Sequence, residues 1–219
     1  LRAQMQALRE GFVLVIPPPS VPGIGTGGGF KRFGNGETDI ANASRAIKPS
    51  EVEACKAHKI EFIEIPVAFD GLTIVVNKQN TWAKQLTVDQ VKKIFSAAGT
   101  AKTWKDVDPS WPDAAMKVYS PGTDSGTFDY FKEVTVGKDG SIRSDMSVSE
   151  DDNVLVRGVE GDEGAIGFFG CAYYFENKDK VKAVAVDGGK GAVAVSVESI
   201  ENGSYAPFSR PLFIYVNKK

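Results

Sequence analysis

Tyr119-Ser-Pro-Gly-Thr-Asp-Ser-Gly-Thr-Phe-Asp-Tyr-Phe131 is a strand end, a loop and a helix start in thirteen consecutive positions. Val118 and Tyr119 close an apolar run. Ser120 to Gly126 cannot hold regular structure. From Thr127 a helical spacing resumes through Phe128 and Phe131. A helix preceded by Ser and Gly offers free backbone N–H groups and the positive end of its dipole. Ser125 and Thr127 add hydroxyl donors and Gly126 an unobstructed N–H, so the stretch suits a tetrahedral oxyanion. The plainer alternative is a helix N-cap made by Asp124 or Ser125.

A second stretch points the same way. Gly23-Ile-Gly-Thr-Gly-Gly-Gly-Phe30 reads as a loop entering a short helix over 30–35, with Thr26 in the loop. Asp39-Ile-Ala41 then reads as a buried strand, which delivers Ser44 and Arg45 at its end. Ligands of open α/β sheets bind at such strand ends. A glycine-rich loop alone is weak evidence. Two such loops with an arginine, which can hold two anion oxygens at once, are stronger.

Outward from these stretches, strand and helix signals alternate, which implies an α/β fold. Ser50 with Glu53 reads as a capping box for a helix to His58. Ile60–Ala68 alternates as a strand, and Leu72–Val76 is a β-branched run of the kind buried on both faces. Thr87 caps a helix over 88–95. Strands are expected at 38–43, 116–119, 165–168, 181–186 and 211–216, the last with a proline at a sheet edge. Further helices are expected from Ser149 to Val156, over 172–176 and over 193–200. Phe128, Tyr130 and Phe131 read as core. So do Trp82, Trp104 and Trp111, unless they rim a cleft.

Composition bounds the function. The chain has 219 residues, 42% hydrophobic and 25% charged, with a net charge of −2. These values suit a globular chain without the basic stripe of a nucleic-acid binder. No apolar run approaches the roughly 20 residues of a membrane span. One histidine and two cysteines, Cys55 and Cys171, give neither a zinc site nor a nucleophile–base pair. No cofactor, metal or catalytic residue is therefore expected. Glu150, Asp151 and Asp152 are adjacent helical residues that point apart and cannot share one ion.

From about Phe30 to Lys219 the chain resembles the periplasmic phosphate-binding protein family of bacterial phosphate ABC transporters. The residues that carry the likeness are Asn35–Ile40, Asn42–Arg45, Ala68–Asn77, Pro121–Phe131, Ser149–Val156, Gly167–Gly170 and Ser209–Val216. The resemblance implies a type II two-lobed fold, with residues 1–71 plus 187–219 as one lobe and 72–186 as the other. It also implies inorganic phosphate in the interlobe cleft, a membrane permease as partner, a monomer, and a periplasmic or cell-surface location. The implied phosphate contacts are Thr26, Ser44, Arg45, Asp70, Ser125, Gly126 and Thr127. Some relatives carry Asp where Arg45 stands, which moves the carboxylate that reads the phosphate proton to Asp70 rather than Asp39. Another oxyanion, sulfate or molybdate, is the alternative ligand. The family often has Cys at the position of Gly34, placed to pair with Cys55; here both thiols are expected free.

Residues 1–29 resemble instead a porter-domain segment of resistance–nodulation–division efflux pumps. They read as a helix over 1–8, a strand over 12–16 and a proline run. This implies a chimeric chain that lacks the family's first donor loop, with impaired binding as the expectation. A divergent native N-terminus is the other reading. The C-terminal side also ends before the helical segment that the family usually adds.

Overall fold

The computed structural model describes residues 25–99, 101–123 and 125–218. The readings of a helix over 1–8 and a strand over 12–16 lie outside the described residues. In chain order the described helices are α1 (Gly25–Gly34), α2 (Pro49–Ala57), α3 (Val88–Phe95), α4 (Trp104–Val107), α5 (Gly126–Val136), α6 (Asp152–Glu160), α7 (Cys171–Glu176) and α8 (Val197–Glu201). The strands are β1 (Ile40–Ala43), β2 (Phe62–Asn77), β3 (Gln85–Thr87), β4 (Lys117–Pro121), β5 (Ser147–Ser149), β6 (Ala165–Gly170), β7 (Val181–Ala183), β8 (Ala185–Asp187), β9 (Ala192–Val193) and β10 (Ser209–Asn217).

β2 organises the molecule. The two strands expected at 60–68 and 72–76 are one strand of 16 residues. Gly71 lets it pass the tightest point without a break: an added Cβ there would lie 2.9 Å from the Cys171 sulfur and 3.1 Å from Ile200. Among the described residues, β2 sits in a seven-stranded sheet of order β1-β10-β2-β6-β4-β5, with β7 also paired to β2. β10 runs antiparallel to β2 from Ser209↔Gly71 to Asn217↔Phe62, and β1 lies on its other side. β6 and β7 pair antiparallel with the second half of β2, while β4 runs parallel to both β6 and β5. Pro211 lies opposite Phe69, before the pairing with β1 begins at Phe213, so β10 has a single neighbour at its proline. β3, β8 and β9 form a separate small sheet.

The second half of β2 is buried on both faces, as its β-branched run predicts. Leu72, Ile74 and Val76 belong to a core with Ile94, Phe95, Phe131 and Phe168, and Val75 to another with Leu155, Val159 and Phe169. Phe131 and Phe168 stack with ring centres 3.7 Å apart. Ile200, Tyr205 and Phe208 join the larger core. The first half of β2 differs. Phe62 packs with Phe33 and Tyr215 under α1. Ile63, Ile65, Val67 and Phe69 alternate with it along the strand and are 47%, 40%, 51% and 48% exposed.

Several boundaries depart from the sequence reading. From Gly25 onward the glycine run is helical rather than a loop: buried Phe30 and Phe33 anchor α1 (Gly25–Gly34) and hold its glycine-rich part in place. α2 begins at Pro49 rather than being capped by Ser50. The fixed φ of proline suits a first turn, and Glu51, not Glu53, accepts the Lys48 N–H at 2.8 Å. α6 is capped by Asp151, whose carboxylate accepts from Asn153 N–H at 2.9 Å. The expected strand over 181–186 is split into β7 and β8 at Val184, whose N–H turns to the Ile74 carbonyl at 2.9 Å. The expected helix over 193–200 shortens to α8, with Ser196 and Ser199 bonding across its first turn. The capping box at Thr87 is found as read. Trp104 is fully buried, with Trp82 and Trp111 against it.

Candidate functional site

One wall of the candidate site is built from α1 and the end of β1. β1 brings Ser44 beside the first turn of α1. There the Ser44 N–H donates to the Thr26 hydroxyl at 3.1 Å, and the two hydroxyl oxygens are 3.0 Å apart. Arg45 follows. Its guanidinium donates to both carboxylate oxygens of Glu51 at 2.9 and 2.7 Å and to the Ala46 carbonyl at 3.1 Å. It also lies 5.3 Å from the Phe30 ring centre. The contact with Arg45 is the main cause that holds the Glu51 carboxyl below the ordinary carboxylate range, and the Glu51 carboxylate in turn raises Arg45 further. Three of the five N–H groups of Arg45 are thereby committed.

The opposite wall is the first turns of α5. Ser125 is its N-cap, and the hydroxyl accepts from Thr127 N–H at 3.2 Å. The plainer reading of Ser125 is thus present in the structure. Gly126 is the first helical residue, and its N–H has no acceptor within the helix. An added Cβ at Gly126 would meet no protein atom within 4 Å, and the same holds at Gly27 in α1. The glycines leave space on both walls. Tyr130 stands one turn on, its hydroxyl donating to the Pro207 carbonyl at 2.8 Å. Burial pushes its phenol pKa well up.

Both walls line one open cavity of about 680 Å³. It takes in Thr26, Ser44, Arg45 and Gly126, four of the residues proposed from sequence, and also Tyr130 and Arg210. Lys132 and Lys138 at its margin are balanced by Asp129 and Glu133. The other three proposed residues are placed differently. Asp70 and Thr127 line an adjoining cavity of about 890 Å³ with Asp152, Cys171 and Ile200, and Ser125 lines neither. Asp70 is tied to the first cavity through Arg210, whose Nε and Nη2 donate to Asp70 Oδ2 at 3.2 and 3.1 Å. Tyr130, read as core, is buried yet reaches the cavity. Arg210 was missed. Its signal lies in Ser209-Arg-Pro211, but nothing local ties it to Asp70, 140 residues earlier.

Among the described residues no cluster of His, Cys, Asp and Glu could hold a metal ion. Cys55 and Cys171 are buried and unpaired with each other. Burial raises both thiols, Cys171 to about 11. An added Cβ at Gly34 would lie 3.7 Å from the Cys55 sulfur.

A helix start, hydroxyls and an arginine around one cavity are features of anion receptors, and the family comparison agrees. Residues 14–219 match the family described as "PBP superfamily domain". The chain belongs to the PBP superfamily. The match begins inside the segment read as an efflux-pump fragment, so residues 14–29 fall within the binding-protein domain, and the expected boundary near Phe30 is not found. The chain is 55% identical over 198 residues to Protein SphX of Synechococcus elongatus, covering 89% of this chain and 58% of that protein. It is 46% identical over 197 residues to the phosphate-binding protein PstS of Staphylococcus saprophyticus, covering 89% and 60%. A crystal structure described as a possible phosphate binding protein from Planctomyces limnophilus matches with a TM-score of 0.85 and 47% identity, covering 89% of this chain and 69% of that one. The chain therefore spans somewhat under two thirds of these two curated relatives, at 58% and 60% of their length. As a PBP superfamily domain it has the mixed α/β, two-lobed fold of these structures. No helix among the described residues is long and apolar enough to cross a membrane.

Proposed function

We propose that this chain binds inorganic phosphate in the cleft between α1 and α5 and presents it to the membrane permease of an ABC importer. The observation that carries this reading is the meeting of the α5 N-terminus at Gly126 with Thr26, Ser44 and Arg45 in one cavity. The free N–H groups and dipole end of α5, facing hydroxyls and a guanidinium, favour an anion with oxygens in several directions. The name of one relative, the phosphate-binding protein PstS, supports phosphate as the anion. In this reading Thr26 and Ser44 donate hydroxyls, Gly126 its N–H, and Arg45 its uncommitted guanidinium N–H groups. Ser125 and Thr127 shape and extend the α5 start. Asp70 accepts the proton that phosphate keeps at neutral pH. Sulfate has no such proton, so it would leave that carboxylate unpaired.

The sequence reading divides the lobes into 1–71 with 187–219 and 72–186; the packing of Ile200, Tyr205 and Phe208 in the larger core favours instead a return crossing near Ser209, with residues 187–208 in the second lobe. The receptor acts as a monomer in the periplasm or at the cell surface, without nucleic acid. We read it as a receptor rather than an enzyme. Calorimetry of this chain with phosphate, with sulfate and with buffer alone tests the reading. Phosphate should bind and sulfate should bind far more weakly; heat from sulfate alone would reassign the ligand, and heat from neither would end the proposal.

A further inference from the structure

We infer that Arg210 is a second cationic donor to the bound oxyanion, facing it from the crossover strand β10 and held there by Asp70 and Tyr130. The inference rests on the phosphate-binding reading and adds a residue to that site.

Three observations carry it. First, Arg210 lines the same cavity as Thr26, Arg45 and Gly126. Its side chain is 21% exposed, and that of its partner Asp70 is 39%. Second, its guanidinium is fixed on two sides without being used up. The carbon at its centre lies 3.8 Å from the Tyr130 ring centre, a close cation–π stack. Tyr130 is itself pinned by its bond to Pro207 and cannot swing away. Nε and Nη2 both donate to a single oxygen, Asp70 Oδ2. Of five N–H groups this leaves both on Nη1 and one on Nη2 for another acceptor.

Third, Arg45 is the poorer donor. Its contact with Glu51 is bidentate, and the Ala46 carbonyl takes a further N–H. A guanidinium bonded to both oxygens of a carboxylate has its charge largely answered. One bonded to a single carboxylate oxygen keeps an open fork, the geometry that matches two oxygens of a phosphate. Asp70 Oδ2 orients Arg210, and Oδ1 takes no part in that contact.

The test is phosphate titration of the full chain and of two variants, Arg210→Gln and Arg210→Lys, at low and high salt, with a thermal melt of each. Arg210→Gln should lower phosphate affinity by about 30-fold or more, the low end of the cost of truncating one partner of a close charged contact. It should also flatten the salt dependence of binding, because one fewer charge meets the anion. Arg210→Lys keeps the charge but loses the fork, so it should keep the salt dependence while binding less tightly than the wild type. A lower melting temperature with unchanged affinity and salt dependence would make Arg210 structural and overturn the inference, as would wild-type affinity in Arg210→Gln. If Arg210→Gln fails to fold, a lysine variant that binds as the wild type does would overturn it. A wild type that takes up no phosphate ends the functional reading itself, and this inference with it.

Discussion

The two walls of the cavity rest on unequal foundations. The α5 wall stands on a core that includes Leu72, Ile74, Phe95, Phe131, Phe168, Tyr205 and Phe208. The α1 wall stands on Phe30, Phe33, Ala41, Ala43, Cys55, Ile60 and Tyr215. One strand shows the contrast within itself. β2 is buried from Gly71 to Asn77, yet from Ile63 to Phe69 every residue is exposed. The sequences of the halves are similarly apolar, so the difference comes from what covers them. Among the described residues, the groups proposed to hold the anion on the α1 wall, Thr26, Ser44 and Arg45, rest on this smaller core and on polar ties such as Arg45–Glu51. Those of the α5 wall are held by a stacked aromatic core.

Large truncations should expose this imbalance first. Phe168→Ala removes a fully buried ring stacked on Phe131 and should cost about 3–5 kcal/mol in urea unfolding. Phe33→Ala, equally buried, should act locally: amide exchange should speed up in α1 and β1 while α5 and β6 keep their protection. Uniformly faster exchange would mean that the two walls unfold as one unit. Within β2, Ile74→Thr should cost about 1–3 kcal/mol by burying a hydroxyl. Ile65→Thr, on the bare face, should stay within about 0.5 kcal/mol, and equal costs would remove the contrast.

The polar ties of the α1 wall give a pH-dependent prediction. The Glu51 carboxyl lies below its ordinary range, chiefly through its bonds to Arg45. A depressed folded-state pKa contributes stability that is complete above the ordinary carboxylate value. That stability is lost as the pH falls through the folded value. Melting temperatures of the wild type and Glu51→Gln should differ at pH 7 and converge below about pH 4. A constant difference across that window would exclude the ionised pair as the cause. The smallest effect concerns the thiols. Cys55 and Cys171 are buried with raised pKa values, Cys171 near 11, so neither should react with a thiol reagent at pH 7 until urea unfolds its wall. Cys55 should react at the lower urea concentration; the reverse order would assign the weaker wall to α5.

The sequence was most legible where local chemistry is sufficient. Thr87 with Gln90 caps α3 as their spacing requires, and Leu72–Val76 reads as doubly buried because both of its faces are covered. It was least legible where a distant residue decides. The glycine run has poor helix propensity, and it is the burial of Phe30 and Phe33 against Tyr215 and Phe62 that makes it helical from Gly25 onward. Ser50 loses the capping role because Pro49 already suits the first turn. Four proposed contacts meet in one cavity because β1 ends and α5 begins there, beside Thr26 of α1. Arg210 was out of reach, since its meaning comes from Asp70 across the β2–β10 ladder and from Tyr130 on a third element.

Between Ser209↔Gly71 and Leu212↔Ala68, before β1 joins β10 at Phe213, the β2–β10 ladder is a two-stranded ribbon that leaves one wall's core and enters the other's. Any swing of the walls must be absorbed as torsion of that ribbon. Points near a torsion axis sweep short arcs and points far from it sweep long ones. Asp70 and Arg210 are directly paired across the ribbon where it enters the larger core. A swing about that axis would carry Thr26 and Ser44 farther than Asp70 and Arg210, as a door's latch moves farther than its bearing.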